Sequence, residues 1–192
     1  MSTSAETSGT RGTGDGGGPE GPATREQRTP LRGADRPSRI AVGADHAGFR
    51  YKEILADRLR DQGYEVLDMG TDSDESVDYP DFARAVAEAV HEGRADRGLL
   101  ICGSAVGVSV AANKVPGVRA AVCHDTYSAA QGVEHDAVNV LCMGERVIGI
   151  ELARHIVDAF MGADFSDAPR HRRRLEKVLD LEEEYCGEDR GD

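Results

Sequence analysis

The chain has 192 residues, enough for one ordinary domain with a tail or for two very small domains. Its formal net charge is −12, because 35 Asp and Glu outnumber 23 Lys and Arg. Nucleic-acid binding and electrostatic attachment to anionic lipid both depend on clustered positive charge. The charge balance therefore argues against either kind of partner.

Half of the negative charge lies at the C-terminal end. Residues 1–38 carry five acidic and five basic side chains, whereas residues 176–192 carry eight acidic and two basic ones. The first 38 residues also contain eight Gly and four Pro, and they have too few large apolar side chains to offset the entropy cost of ordering. We therefore predict a disordered N-terminal extension over 1–38, one domain over 39–184 and an acidic tail over 185–192.

The cysteine pattern indicates a reducing compartment. The four cysteines stand at positions 102, 123, 142 and 186, with no CxxC pair and no Cys/His metal spacing. The first three lie within or at the end of apolar runs, where buried reduced thiols are common. The N-terminus has no apolar signal sequence, and no apolar run reaches transmembrane length. We expect a cytoplasmic protein that holds no metal.

Beyond residue 38, short apolar runs alternate with segments of helical periodicity. The predicted strands are Ile40–Gly43, Glu65–Met69, Gly98–Cys102, Arg119–Cys123 and Asn139–Met143. The predicted helices are Phe49–Gln62, Asp81–Glu92, Val108–Lys114, Ser128–Glu134, Ile150–Met161 and Arg170–Glu184. Such alternation is typical of right-handed βαβ units. We predict an α/β fold, a Rossmann-like three-layer sandwich with a five-stranded parallel sheet, whose ligands bind beyond the carboxyl ends of the strands.

The loops after the first two predicted strands carry polar residues. The segment Gly43–Gly48 contains Asp45 and His46, an acid and a base at a strand end. Two interpretations of Asp45 stay open: a cap on the following helix, which is a common role of Asp, or a contact with a ligand. The loop after the second strand ends near Tyr79, either a packing residue or a side chain that covers a ligand.

The loop after the third predicted strand, Cys102–Gly107, places a thiol and the hydroxyl of Ser104 at a strand-to-helix turn. Backbone N–H groups at a helix N-terminus bind anions and favour the thiolate form of a nearby cysteine. A thiolate base that faces N–H donors suits enolate or enediolate chemistry, because the donors stabilise the developing oxyanion. The alternative is that Cys102 is simply a small buried residue.

Other motifs do not fit this loop. Gly103 and Gly107 do not make a GxGxxG dinucleotide fingerprint, and the GxxxxGK[ST] phosphate loop is absent. A thiol phosphatase needs an arginine six residues after the cysteine, where Val108 stands. The half-match to a nucleophile elbow around Ser109 falls inside a predicted helix rather than on a turn. We therefore expect no nucleotide cofactor.

Histidines and arginines accompany the last two predicted strands and the last helix. We interpret His124 as a structural or rim residue, and His135 matters only if it reaches the same pocket. The segment Arg170–Arg174 holds four arginines in an acidic chain, and Arg170 and Arg174 share one helix face. Arginine binds phosphate bidentately. The alternative is a solvated helix start whose arginines pair with nearby acids.

Six motifs, taken in order, resemble type B ribose-5-phosphate isomerase and the wider family that includes the galactose-6-phosphate isomerase subunits. They are GADHAG at 43–48, DYPDFA at 78–83, CGSAVGVSVAANKVPGVRA at 102–120, EHDAVNVL at 134–141, GERVIG at 144–149 and RHRRR at 170–174. The resemblance covers Arg39 to about Leu179. It implies an aldose–ketose isomerase of the pentose phosphate pathway that works through a cis-enediolate without metal or cofactor. It also implies a homodimer, or possible tetramer, with active sites between subunits.

The resemblance further implies roles for individual residues. Cys102 is the expected base between C1 and C2, because the branch with a glutamate base carries it where this chain has Val108. Asp45 handles the sugar ring, His135 helps to open it, and Ser104 with backbone N–H groups holds the enediolate oxygens. The other expected substrate contacts are His46, Tyr79, Gly103, Ala105, Gly107, Asp136, Arg146, Arg170 and Arg174. Among these, the histidine and the three arginines bind phosphate, some from the partner subunit.

Two positions depart from the family pattern. The loop usually reads CG[TS]G, where this chain has Ala105, and the histidine is usually followed by Asn, where this chain has Asp136. A methyl group at position 105 either narrows the anion pocket or is tolerated at negative φ. An ionised Asp136 repels an enediolate. Ribose 5-phosphate is the expected substrate, and the alternatives are a tetrose, hexose (allose, galactose) or deoxysugar phosphate, or a catalytically silent sugar-phosphate sensor.

Overall fold

A computed structural model describes residues 37–186, with every side chain except that of Cys186. The strands are β1 (Arg39–Ala44), β2 (Glu65–Asp68), β3 (Arg97–Cys102), β4 (Ala120–Val122) and β5 (Val140–Gly144). The helices are α1 (Phe49–Asp61), α2 (Tyr79–His91), α3 (Val106–Ala112), α4 (Thr126–Asp136), α5 (Ile150–Gly162) and α6 (Pro169–Cys186). Each predicted element is present over the described range, with ends that differ by two residues at most.

The predicted terminal segments fall largely outside the described residues. Of the extension predicted over 1–38, only the last two residues are described, and of the tail predicted over 185–192 only the first two, which form the end of α6. Within 37–186, no helix is long and apolar enough to cross a bilayer.

The five strands form one parallel sheet in the order β2-β1-β3-β5-β4. The chain moves outward from β1 to β2 and then crosses back to place β3 on the other side of β1, so the switch in direction lies between β1 and β3. Ligands of doubly wound sheets bind at such a switch point. The flavodoxin order is 2-1-3-4-5, and this sheet differs because β5 lies between β3 and β4.

Helices cover both faces of the sheet, which confirms the predicted three-layer α/β sandwich. Side chains of β3 alternate between the layers, because successive residues of a strand point to opposite faces. Leu99 and Ile101 join the buried cluster beneath α1, α4 and α5, whereas Leu100 and Cys102 join the cluster beneath α2 and α3. The first of these layers accounts for most of the large apolar side chains. Cys102 therefore faces the α2 and α3 side.

The last helix packs outside these layers. Leu175 and Leu179 of α6 form a small buried cluster with Ala137 and are flanked by Phe165. This cluster fixes the first half of α6 against the C-terminal end of α4. The basic segment at the start of α6 is thereby brought to the end of α4 rather than to the thiol of β3.

A buried ion pair fixes the second strand and the loop that follows it. Lys52 of α1 is fully buried, and its Nζ lies 2.7 Å and 2.8 Å from the two carboxylate oxygens of Asp68. The same Asp68 carboxylate accepts the N–H of Gly70 at 3.0 Å. A buried charge must be paired to be tolerated, so this contact holds the start of the loop that leads to α2.

Candidate active site

The loops after β1, β3 and β5 meet at one edge of the sheet, because these strands are neighbours. Two backbone hydrogen bonds tie the last two loops together: Glu145 N–H donates to the Cys102 carbonyl at 2.9 Å, and Arg146 N–H donates to the Gly103 carbonyl at 3.1 Å. Gly144 is a point of close approach, since a Cβ there would lie 3.0 Å from the Gly103 carbonyl oxygen. The backbones of the loops after β3 and β5 are therefore tightly packed against each other at this edge of the sheet.

The Cys102 thiol is buried at this edge of the sheet, at the end of β3. Its side chain is 5% exposed, and its Sγ accepts the backbone N–H of Ala105 at 3.0 Å. The neighbouring Ser104 is exposed, and its Oγ accepts the N–H of Val106 at 3.4 Å. The loop thus wraps around the sulfur and presents the hydroxyl outward, so thiol and hydroxyl stand at the same turn as predicted.

Burial acts on the other two described thiols, Cys123 just after β4 and Cys142 in β5. Burial raises the pKa of Cys123 to about 11, and burial also raises the pKa of Cys142 strongly. Both thiols are therefore protonated at neutral pH. Neither is a candidate base, which leaves Cys102 among the three described cysteine side chains.

Ala105 has a left-handed backbone, with φ at +73°. The possibility that this alanine is tolerated through a negative φ is therefore wrong. A left-handed alanine costs roughly 1–2 kcal/mol, which explains why glycine suits this position. The residue is fully buried and belongs to the apolar cluster of Cys102, Val108 and Cys142. The methyl group accordingly lies in the core and does not narrow an anion pocket.

Asp45 does not cap α1. The N-cap of that helix is Gly48, with no side-chain hydrogen bond, and the Asp45 carboxylate instead accepts the N–H of Ala47 at 2.9 Å within its own turn. Gly48 is needed for close approach, because a Cβ there would lie 2.5 Å from the Ile101 carbonyl. The helix-cap interpretation of Asp45 is wrong, and the carboxylate closes the turn that follows β1.

His46 and Tyr79 bring the loop after β2 toward the same edge. The Nδ1 of His46 accepts the backbone N–H of Val77 at 3.3 Å, which ties the two loops together. The ring of Tyr79 lies against Gly107, where a Cβ would be 2.9 Å from two of its ring carbons. The ring is 40% exposed and so covers the first turn of α3 from the solvent side.

Arg146 approaches the loop of Cys102 from the other side. A Cβ on Gly103 would lie 3.4 Å from Cδ and 3.5 Å from Nε of Arg146, and 3.6 Å from Cβ of Ala47. The structure therefore brings together one set of predicted site residues, which we call the thiol cluster. Its members are Asp45, His46, Tyr79, Cys102, Gly103, Ser104, Ala105, Gly107 and Arg146.

The remaining predicted residues form a second group where α4 meets α6, which we call the histidine–arginine cluster. His135 stacks on His171 with ring centroids 4.0 Å apart, and its Nδ1 lies 2.8 Å from Gln131 Nε2. Arg170 Nε donates to His171 Nε2 at 3.0 Å. The members named from the sequence are His135, Asp136, Arg170 and Arg174.

The two clusters are separate within one chain. Over residues 37–186, no hydrogen bond, ion pair or ring contact joins a member of the thiol cluster to a member of the histidine–arginine cluster. The first is built on the carboxyl ends of the central strands, and the second lies where the C-terminal end of α4, just before β5, meets α6.

Several contacts at the site were not predicted. Glu145 accepts the N–H of Tyr51 at 3.2 Å and pairs with Arg50 at 3.3 Å, so it anchors the loop that carries Arg146. His171 lies within the basic segment at 170–174, where the sequence indicated a role for the arginines alone. His124 accepts the N–H of Gly144 at 3.1 Å through Nε2, in keeping with its structural interpretation. The only indication in the sequence that Glu145 contributes to the site is its position at a strand end, next to Arg146.

Comparison of the chain with known proteins identifies the class to which this fold and strand-end site belong, the sugar-phosphate isomerases. The family model described as Ribose/Galactose Isomerase matches residues 40–178. The chain belongs to this family.

Relatives of known name support the assignment. Ribose-5-phosphate isomerase B of Escherichia coli is 48% identical over 145 residues, which cover 76% of this chain and 97% of that relative. D-erythrulose-4-phosphate isomerase 2 of Mycolicibacterium smegmatis is 48% identical over 130 residues, which cover 66% of this chain and 86% of the relative. The family thus contains isomerases named for different sugar phosphates.

Solved structures agree with the fold in detail. Ribose-5-phosphate isomerase B of Clostridium thermocellum superposes with a TM-score of 0.75 at 50% identity, over 77% of this chain and 99% of that one. The Mycoplasma genitalium enzyme, solved with bound ribulose-5-phosphate, superposes with a TM-score of 0.73 at 40% identity, over 76% and 97% of the two chains. These neighbours confirm the five-stranded α/β architecture.

Proposed function

We propose that this isomerase interconverts ribose 5-phosphate and ribulose 5-phosphate through a cis-enediolate, with Cys102 as the base. The observation that carries the proposal is the placement of the Cys102 thiol. It lies at the carboxyl end of a central strand, beside the switch point of the sheet, with a backbone N–H directed at its sulfur at 3.0 Å. The ribose-5-phosphate isomerase B relatives support this choice of sugar.

The proton transfer follows from the chemistry of the loop. In the open-chain aldose, the Cys102 thiolate takes the proton from C2 and the resulting thiol returns it to C1. Negative charge develops on O1 as the C2 proton leaves, and the hydroxyl proton of O2 passes to O1 as the C2 carbonyl forms. Donors placed around a developing oxyanion lower the barrier. Ser104 is the exposed hydroxyl of this turn, and we assign it with the backbone N–H groups of Gly103 and Gly107 to those oxygens.

Ring opening and phosphate binding use the remaining residues. Asp45 and His135 act on the ring form, with His135 as the group that helps to open it. His46, Arg146, Arg170 and Arg174 bind the phosphate, since guanidinium groups match its oxygens bidentately. Tyr79, Ala105 and Asp136 complete the expected sugar contacts, with Ala105 contributing backbone only.

We infer a homodimer with shared active sites. The inference is supported by the separation of the two clusters within one chain, because His135 and the α6 arginines need a second subunit to reach a Cys102 thiol. Closed two-fold dimers are the commonest oligomers, and a two-fold axis brings the thiol cluster of each subunit to the histidine–arginine cluster of the other. The proposal places the enzyme in the cytoplasm and in the non-oxidative pentose phosphate pathway.

A second candidate is favoured by Asp136 and by the relative named for D-erythrulose 4-phosphate. An exposed carboxylate follows His135 where an amide is usual. A carboxylate accepts hydrogen bonds but donates none when ionised, so it selects different sugar hydroxyls. The candidate is an isomerase of another sugar phosphate, or a silent sugar-phosphate binder.

A coupled assay across phosphorylated sugars tests these candidates. Ribose 5-phosphate, allose 6-phosphate, galactose 6-phosphate and erythrulose 4-phosphate are compared with the same enzyme preparation. We expect the largest kcat/KM with ribose 5-phosphate. A larger value with another sugar overturns the substrate assignment but keeps the isomerase, whereas binding without turnover on every sugar identifies the silent binder.

A further inference from the structure

His171 is the most completely buried titratable side chain near the proposed site that has no role so far. It lies in the first turn of α6 and is 2% exposed, although the arginines on both sides of it are exposed. Its ring has three neighbours: Ser166 Oγ at 2.6 Å from Nδ1, Arg170 Nε at 3.0 Å from Nε2, and the stacked ring of His135.

These contacts determine the protonation state of His171. The guanidinium of Arg170 can only donate, so Nε2 of His171 must accept and carries no proton. Nδ1 then holds the proton and donates it to Ser166 Oγ. The ring is therefore neutral, with its proton on Nδ1. Protonation at Nε2 would direct an N–H toward the N–H of Arg170 and break this contact.

The surrounding charges maintain that state. Burial lowers the pKa of His171, and the positive charges of His135, Arg170 and Arg174 lower it further, while Asp136 opposes them. Of the groups that face the ring, two lie on α4 and two on α6. The balance favours a neutral imidazole at neutral pH.

Backbone hydrogen bonds join the segments that surround His171. Ser166 N–H donates to the carbonyl of Glu134, the residue before His135, at 3.0 Å. His171 N–H donates to the carbonyl of Ala168 at 2.8 Å. The end of α4, the loop before α6 and the start of α6 thus meet around one imidazole, which contacts both His135 and Arg170.

We propose that His171 is a positioning residue that fixes the side chains of His135 and Arg170 relative to each other. The proposal rests on the proposed function, in which His135 opens the ring and Arg170 binds the phosphate. His171 itself does not contact the substrate. The face of its ring packs against His135, and its Nε2 accepts the hydrogen bond from Arg170.

Two variants separate these contacts. His171→Phe keeps an aromatic ring against His135 but removes the acceptor for Arg170, so we expect KM for ribose 5-phosphate to rise about tenfold with kcat altered less. His171→Gln keeps an amide oxygen for Arg170 but removes the stacked ring, so we expect kcat to fall about tenfold with KM altered less. His155→Gln, on the exposed outer face of α5, is the control and leaves both constants unchanged.

A spectroscopic readout keeps the test independent of the substrate. Long-range ¹H–¹⁵N NMR of the wild-type protein at pH 7 should show His171 neutral with its proton on Nδ1, and the His135 signals should shift in both His171 variants but not in His155→Gln. A charged His171, or one protonated on Nε2, overturns the proposal. So does a loss of thermal stability in both variants with kcat and KM unchanged. If the wild-type protein turns over no sugar phosphate, the proposed function fails while the NMR result still decides the positioning role.

Discussion

The thiol cluster and the histidine–arginine cluster are built in opposite ways. The thiol cluster rests on the ends of β1, β3 and β5, where backbone hydrogen bonds and glycine contacts fix each loop to its neighbour. The histidine–arginine cluster rests on side-chain contacts between two helix ends, centred on the single buried ring of His171. One is held mainly by the main chain and the other mainly by side chains.

This difference predicts how each cluster responds to substitution. A main-chain scaffold keeps its shape when one side chain is changed, so a substitution there removes one chemical group and little else. A side-chain scaffold loses its geometry when a central side chain is changed, so its effects spread to neighbouring groups. The proton transfer assigned to Cys102 thus rests on the main-chain scaffold. The ring opening assigned to His135 and the phosphate contacts assigned to Arg170 and Arg174 rest on the side-chain scaffold.

The largest effect is expected at the thiol. Cys102→Ala should lower kcat for ribose 5-phosphate roughly a thousandfold, the scale of a lost general base, and should abolish exchange of the C2 proton with solvent. Binding of the sugar phosphate, measured by calorimetry, should persist because the phosphate ligands are untouched. Cys123→Ala, a buried thiol on the other side of the sheet, is the control. Turnover of Cys102→Ala within tenfold of the wild type contradicts the assignment.

The second prediction tests whether the clusters act across subunits. A Cys102→Ala chain is co-expressed with an Arg170→Ala/Arg174→Ala chain, each with its own affinity tag, and the mixed dimer is purified through both tags. One of its two shared sites is intact, so activity should recover to about half that of the wild type. At ribose 5-phosphate concentrations well below the KM of the arginine variant, each parent variant alone remains nearly inactive. An inactive mixed dimer shows that both clusters serve one chain.

The third prediction concerns the arginines of α6. Arg170→Ala and Arg174→Ala should each raise KM for ribose 5-phosphate about ten- to a hundredfold, the scale of a lost charge-assisted hydrogen bond. Arg172→Ala removes an exposed arginine that faces away from Arg170 and Arg174 on the same helix and is the matched control. If the control raises KM as much as the other two, general charge rather than a specific site binds the phosphate.

The smallest effect is expected at the left-handed alanine. Ala105→Gly removes a backbone cost of roughly 1–2 kcal/mol, but it also loses a buried methyl worth about 0.8 kcal/mol and frees the unfolded chain by about 0.4–1 kcal/mol. These contributions offset, so urea unfolding should give a free energy of unfolding within about 1 kcal/mol of the parent. Ala105→Val should instead destabilise the protein by more than about 2 kcal/mol, since a β-branched residue resists φ above zero. Equal stability of both variants would show that this backbone is free to relax.

Much of the thiol cluster could be predicted because its parts are local in the sequence. A strand followed by Cys102–Gly107 places the thiol at a strand end whatever the order of the strands, and the same holds for Asp45 and His46. The contacts of Asp45 and Glu145 could not be predicted, because they depend on which loops become neighbours in the sheet. The left-handed φ of Ala105 could not be predicted either, because alanine does not favour that backbone conformation.

The sequence by itself determined the α/β class, the eleven elements to within two residues of their ends, and the residue types that suit sugar-phosphate isomerisation. Hydrophobic periodicity and strand-end glycines are local properties, so they can be recognised along the chain. Only the tertiary structure decided that β5 lies between β3 and β4, that Ala105 directs its N–H at Cys102, and that His171 joins His135 to Arg170. The strand order and the contact between His135 and His171 depend on packing between segments far apart in the chain. The contact of Ala105 with Cys102 is local, but it depends on a left-handed backbone that alanine does not indicate.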